Sequence, residues 1–274
     1  MQRNDAIKPV RFKRWIIALL VSAVCLQAGM AQSNERLNIG FSRSIIGAVN
    51  ENDAMAVIKV WATELMVSAN LLVNVQPQIY GDVREMETAL KENRTDFLCF
   101  TIMEFVDLQH LLYQEKFIFP VLGQSMTEEY LLIARNNSSI AQIKDLKGCS
   151  LIYPKNPRTV LSVIWLDVTL ARAGLSAAAY FFSRMVPVGK VNEALLPVFF
   201  GKEDACLVTR KSFDIMAELN PQISRQLKIV GTSQRYIPNF LAFRKNYQSK
   251  IREIILNQID TWDNTPGRIP IFPV

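Results

Sequence analysis

The sequence predicts an α/β protein of two lobes, each a mostly parallel sheet flanked by helices. Three observations lead there. Short apolar runs bounded by polar residues alternate with helix-like stretches along the chain, as buried parallel strands alternate with crossover helices. Two segments read almost alike: Asp96-Phe97-Leu98-Cys99-Phe100-Thr101 and Asp204-Ala205-Cys206-Leu207-Val208-Thr209 each run from an aspartate through four apolar residues to a threonine. Each follows one helix-like stretch and precedes another, with Phe105 and Phe213 at matching offsets. Finally, no low-complexity segment or Gly/Ser linker separates the halves, so strands rather than a flexible tether join the lobes.

Residues 1–31 read as an export signal outside the fold. Lys8, Arg11, Lys13 and Arg14 form a basic start, residues 15–26 an apolar run, and Gly29-Met30-Ala31 a cleavage site. The run is shorter than the ~20 apolar residues a membrane span needs; an uncleaved anchor is the alternative. Val24 ahead of Cys25 speaks against lipidation. The 274-residue chain carries a formal charge of +6, but the signal holds five basic residues and one acidic, so the exported chain falls to +2. With no Lys/Arg run and no basic stretch with interleaved aromatics, nucleic-acid binding has no support. Cys99, Cys149 and Cys206 lie in strand-like runs and read as buried small apolar residues. A Cys149–Cys206 disulfide is the alternative in an oxidising compartment, although an odd cysteine count argues against a complete framework.

The elements follow in order. A strand is predicted over 37–41. A helix over 53–68 carries Ala54, Val57, Ile58, Trp61 and Leu65 at helical spacing, with Asn50, Asn52 or Asp53 to cap it. A strand over 71–75, a helix over 84–92 and a strand over 96–100 complete the first unit. Residues 117–122 and 130–134 are extended and lead away from it. A short helix over 140–146, stopped by Gly148, opens the second unit. A strand over 149–153 follows, then the turn Pro154-Lys155-Asn156-Pro157. A helix over 159–173 ends at Gly174. Then come a strand over 180–186, a helix over 191–200 and a strand over 204–208. Extended segments at 227–230 and 240–243 and a closing helix over 251–262 finish the chain.

Enzyme constellations are mostly absent. The one histidine, His110, ends an apolar helix and reads as structural; a Ser–His–Asp or Cys–His site would have to use it. The chain has no HExxH, CxxC, GxGxxG or P-loop, and no cofactor or metal is expected. The strand ends are more informative, because ligands of open α/β sheets bind beyond the carboxyl ends of strands. The first strand leads into Ser42, Arg43 and Ser44; the third into Thr101 and then Glu104; the first of the second unit into Arg158 and Thr159; the last into Thr209 and Arg210. Hydroxyls and guanidinium groups beside helix N-termini suit an anion. At any single position, an N-cap or a solvated loop cation is the simpler reading. Tyr80, before Gly81-Asp82, is a candidate wall residue, and Pro238 fixes a turn back toward the first lobe.

With these residues in hand, the chain resembles the solute-binding proteins of phosphonate-type ABC transporters, within the type II periplasmic binding proteins. The export signal, Leu37-Asn38-Ile39-Gly40, the two aspartate strands, Asp145-Leu146-Lys147-Gly148 and Ile237-Pro238 carry the likeness across nearly all of the exported chain. The resemblance implies two α/β lobes joined by two crossover strands: residues 32–125 as the first part of lobe 1, 126–236 as lobe 2, and 237–274 returning to lobe 1 with the C-terminal helix. It also implies a ligand clamped by hinge closure and passed to a membrane permease. Some family features differ. The Ser/Thr-rich turn that grips the phosphonate is replaced by Pro157-Arg158-Thr159-Val160-Leu161, a Gly-Pro pair by the stretch near Thr101-Ile102-Met103, and an acidic residue by Thr209-Arg210. Tyr80 is kept, and the chain stops soon after Gly267.

The expected function is therefore an exported, monomeric solute-binding protein for a small anion such as phosphonate, phosphite or phosphate. Its partner is an ABC permease, and its contacts are Ser42, Arg43, Ser44, Tyr80, Thr101, Arg158, Thr159, Thr209 and Arg210. A sensor or adaptor of the same fold, acting on a membrane signalling partner, is the second reading, and an exported hydrolase the third.

Overall fold

The computed structural model of the chain describes residues 35–47, 49–120 and 125–258. The expected export signal lies outside the described residues, as do residues 121–122 of one extended segment and the closing helix beyond 258.

The fold is mixed α/β with two sheets, as predicted. The first contains β1 (Arg36–Ser42), β2 (Asn74–Tyr80), β3 (Phe97–Thr101) and β9 (Asn239–Phe243) in the order β2-β1-β3-β9. The second contains β4 (Glu128–Arg135), β5 (Ser150–Pro154), β6 (Arg184–Val188), β7 (Ala205–Thr209) and β8 (Leu227–Tyr236) in the order β6-β5-β7-β4-β8. The connecting helices are α1 (Arg43–Ile46), α2 (Glu51–Ser68), α3 (Val83–Lys91), α4 (Ile102–Leu108), α5 (Ser162–Arg172), α6 (Ala178–Phe181), α7 (Val191–Phe199), α8 (Arg210–Leu219), α9 (Gln222–Gln226) and α10 (Lys250–Gln258). Short α1, α6 and α9 were not among the predicted helices, whereas α4 and α8 are the helix-like stretches expected after the two aspartate strands.

In the first sheet only β9 runs antiparallel. The second is less parallel than expected, because β4 pairs antiparallel with both β7 and β8. The register explains this. Glu128, the start of β4, pairs with Tyr236, the end of β8, and Tyr130 pairs with Thr209, the end of β7. The chain thus enters and leaves the second sheet at the rim where β7 ends. In the first sheet Thr101, the end of β3, pairs with Asn239, the start of β9. Only Ile237 and Pro238 separate β8 from β9, and the Ile102 N–H donates to the Pro238 carbonyl at 2.8 Å. The strand-end rims of both sheets therefore meet at one crossing.

Both faces of each sheet are covered. Strand alternation sends Phe97 and Cys99 to one face with Leu37, Ile39 and Phe41, against α2 and α10, and sends Leu98 and Phe100 to the other, against Met86 and Leu90 of α3. In the second sheet, Leu132, Leu151 and Leu207 pack on Trp165, Leu166 and Leu170 of α5; Ile133, Ile152, Cys206 and Val208 pack on Leu195 and Val198 of α7.

The repeated segments have equivalent structural jobs. Asp96 accepts the Asn38 N–H of β1 at 3.0 Å and the Asn38 side-chain amide at 2.8 Å. Asp204 accepts the Ser150 N–H of β5 at 2.8 Å and the Ser150 hydroxyl at 3.0 Å. In both sheets the aspartate ties the incoming strand to its neighbour. Thr101 and Thr209 then cap the outgoing helices α4 and α8.

Two strands lie further along than predicted. The expected strand at 71–75 is β2 at 74–80, with Leu71 and Val73 packed as part of the turn into it. The expected strand at 180–186 is β6 at 184–188, preceded by the α6 turn. Both are edge strands, and each holds a proline, Pro77 or Pro187, which an edge tolerates and a central strand does not. The helix expected at 140–146 is a single 3-10 turn over Ile143–Leu146. The three cysteines among the described residues are free, with Cys99 and Cys206 buried and their thiols pushed up by desolvation. Cys149 is part-exposed and packs on the α5 side of the second sheet, while Cys206 faces α7, so the alternative disulfide is not formed.

Candidate functional site

The strand ends at the shared rim hold the residues the sequence singled out, and the structure shows where their polar groups go. On the first sheet, Ser42 is buried at the end of β1 and caps α1 by accepting the Ser44 N–H at 3.0 Å. Its own hydroxyl donates to Glu104. Thr101, also buried, donates to the other Glu104 carboxylate oxygen through its N–H at 2.8 Å and its hydroxyl at 3.0 Å, closing a capping box on α4. One carboxylate thus gathers the donors of two strand ends. Arg43 pairs with Glu51 of α2 at 3.2 Å, and Ser44 is exposed.

Tyr80 is not a wall residue of this rim. Its ring lies buried over Gly40, and its hydroxyl bonds to Thr95, which lies just ahead of β3 rather than at its end. Burial is the main cause of its raised pKa, partly offset by the Thr95 bond. Tyr80 instead helps to line a hollow of about 460 Å³ at the edge of the first sheet, with Gln78, Asp82, Arg84, Glu85, Thr88 and Arg94.

On the second sheet the loop after β5 is knitted by its own side chains. The Asn156 side-chain carbonyl accepts the N–H groups of Arg158 at 3.0 Å and Thr159 at 3.2 Å, and the Thr159 hydroxyl donates to the Pro154 carbonyl at 2.7 Å. Thr159 is therefore buried and engaged in its loop, which is why α5 starts at Ser162 rather than at 159. Thr209 caps α8 by accepting the Ser212 N–H at 3.2 Å, while its hydroxyl donates to the Ser212 hydroxyl at 2.8 Å.

The two arginines do converge. Arg158 Nε donates to Glu128 Oε1 at 2.5 Å, with the pair largely buried, and Arg210 Nε donates to Glu129. Arg158 Nη2 is buried with no hydrogen-bond partner. Together these residues line a hollow of about 520 Å³, in which Arg158, Arg210, Lys211 and Arg235 face Glu128, Glu129, Asp214 and Glu218. Four cations against four carboxylates leave that wall near neutral. Glu128 and Glu129 are the residues that sequence reasoning missed; Glu104 was noted after Thr101, but not its hold on Ser42. A strand that begins with two adjacent acids before a continuous apolar run needs cationic partners, and that signal was available in Thr127-Glu128-Glu129-Tyr130.

The rims also come near each other away from the crossing. A Cβ placed on Gly47, in the loop after α1, would lie 3.8 Å from Pro157 of the loop after β5. His110 lies exposed, 3.9 Å from Glu87. Among the described residues there is no group of three or more metal-ligating side chains, and no helix is long and apolar enough to cross a membrane.

A family model described as the periplasmic substrate-binding protein of phosphonate ABC transporters matches residues 50–271. The chain belongs to that family. Family membership makes it a periplasmic, solute-binding component of a transport system. Solved structures agree on the fold at low identity. A binding protein component of an ABC phosphonate transporter from Pseudomonas aeruginosa is 15% identical, with a TM-score of 0.54, covering 86% of this chain and 77% of that one. XAC2383 from Xanthomonas citri, bound to ATP, is 14% identical with a TM-score of 0.61, covering 85% and 86%. PhnD1 from Prochlorococcus marinus, in complex with methylphosphonate, is 14% identical with a TM-score of 0.51, covering 83% of each chain. No curated protein matches the sequence.

Proposed function

We propose that this chain is an exported solute-binding protein that clamps a small anion, such as a phosphonate, phosphite or phosphate, between two lobes and hands it to an ABC permease. One observation carries the reading beyond family membership: the strand-end rims of both sheets meet at the 236–239 crossing, and Gly47 and Pro157 approach each other across them. A ligand held there touches both lobes, and the crossing at residues 237–238 acts as a hinge strand. The residues proposed to reach the anion are Arg158 and Arg210, with Arg43 from the facing rim. Ser42, Thr101, Thr159 and Thr209 hold the loops in shape.

The test is a thermal-shift screen of phosphate, phosphite, methylphosphonate, sulfonates and carboxylates on the exported chain. An anion at 100 times its Kd adds ~2.7 kcal/mol, a rise of about 5–10 °C for a protein of this size. A flat response to every anion class sinks the reading. One observation favours a second reading, a sensor or adaptor of the same fold acting on a membrane partner: the hydroxyls at the strand ends and both arginines already have internal hydrogen-bond partners. A flat screen together with capture of a membrane signalling protein would support it.

A further inference from the structure

Arg158 and Arg210 at the second rim are each matched by a carboxylate of the same chain, and for Arg210 the match is set by the strand register. Tyr130 of β4 pairs with Thr209 of β7, so the residue before Tyr130, Glu129, lies beside the residue after Thr209, Arg210. Glu128, one residue earlier, meets Arg158 of the loop after β5. A carboxylate fixed on a strand stays near the guanidinium whether or not a ligand arrives.

We propose that Glu129 is an internal counter-ion of Arg210 that sets the charge of the anion the cleft accepts, favouring monoanions over dianions. The proposal rests on the anion-clamping reading. The Glu129 contact engages the Nε of Arg210, and a guanidinium carries five N–H donors, so donors remain for a ligand. The neighbouring Arg158 shows the same arrangement more plainly, with Nε on Glu128 and a buried Nη2 unpartnered. A ligand that takes the remaining donors must share the guanidinium with a carboxylate a few ångströms away. One negative charge on the ligand is tolerated there; a second meets repulsion in a wall whose cations and carboxylates already balance. Asp214 and Glu218 on α8 add to that repulsion, and Lys211 and Arg235 oppose it.

The experiment is calorimetric titration of the exported chain and its Glu129→Gln variant with methanesulfonate, sulfate and methylphosphonate. Gln keeps the shape of the side chain and removes the charge. The wild type is expected to bind methanesulfonate more tightly than sulfate. Glu129→Gln is expected to gain about tenfold for sulfate, and clearly less for methanesulfonate. Adding Arg210→Gln to that variant is expected to remove the gain. Should Glu129→Gln melt far below the wild type, Glu129→Thr, compatible with a strand, carries the same comparison. Binding by the wild type with no selective sulfate gain in the variant overturns the counter-ion role and leaves anion clamping standing. No binding of any probe to either protein overturns both.

Discussion

Asp96 and Asp204 sit at matching positions, yet their surroundings give them different weights. Asp96 is 5% exposed, and besides Asn38 it faces the buried guanidinium of Arg244 at 3.3 Å. Removing it leaves a largely buried cation without its counter-ion, its Nε still held by the Thr95 carbonyl, and a strand N–H without a partner, which costs about 3–5 kcal/mol. Asp204 is exposed and meets only Ser150, so its loss costs about 1 kcal/mol. Asp96→Ala is therefore expected to destabilise the protein several times more than Asp204→Ala in urea denaturation. Equal effects, or the reverse order, would show that the two aspartates are not the strand ties described here. The same logic ranks the ion pairs. Arg158–Glu128 is nearly enclosed, whereas Arg43–Glu51 lies in solvent and contributes little.

At the scale of elements, caps explain the polar residues at three of the four strand ends, Ser42, Thr101 and Thr209, while Thr159 instead ties its own loop. Thr101 and Thr209 lie in extended backbone just before α4 and α8, and each accepts the N–H three residues on. Thr101→Ala and Thr209→Ala are each expected to lower stability by about 1 kcal/mol, and the serine variants to restore most of it, as read by urea midpoints. Neutral alanine variants would return both threonines to the ligand. What was legible in the sequence follows a physical division. Central strands β1, β3, β5 and β7 were visible because burial on both faces enforces a continuous apolar run. Edge strands β2 and β6 were displaced in the prediction because each contains a proline and half-exposed residues, and apolar turn residues ahead of them looked more strand-like. The strand-end positions were legible too. Their bonding was not, because Glu104 lies 62 residues from Ser42 and Glu129 lies 81 from Arg210, and only tertiary register brings them together.

The whole molecule places a buried phenol beside the strand-end loops in one sheet and at the strand-start side in the other. Tyr130 in the second sheet stacks on Tyr236, the last residue of β8, and its hydroxyl donates to the Arg158 carbonyl at 3.1 Å. Tyr80 in the first sheet bonds Thr95. Burial is the first cause that raises both pKa values above the ordinary phenol value of 10.0; Glu128 adds to the rise at Tyr130, and the Thr95 bond opposes it at Tyr80. The sign follows. Both groups stay protonated in the folded chain at a pH where the unfolded chain has begun to lose those protons. Their contribution is fully present below pH ~10 and is lost as pH rises from there through the folded values. Stability is therefore expected to be insensitive to these groups at neutral pH and to fall steeply above pH ~10, in both sheets. Tyr130→Phe separates the terms: at pH 7 it loses one hydrogen bond, about 1 kcal/mol, while above pH ~10 it escapes the penalty of keeping that phenol neutral. Urea denaturation of the two proteins at pH 7 and pH 10.5 checks it. The stability gap between wild type and variant should narrow or invert at the higher pH; an unchanged gap would mean that the Tyr130 phenol ionises as easily in the fold as in the open chain, and a wider one that it ionises more easily there.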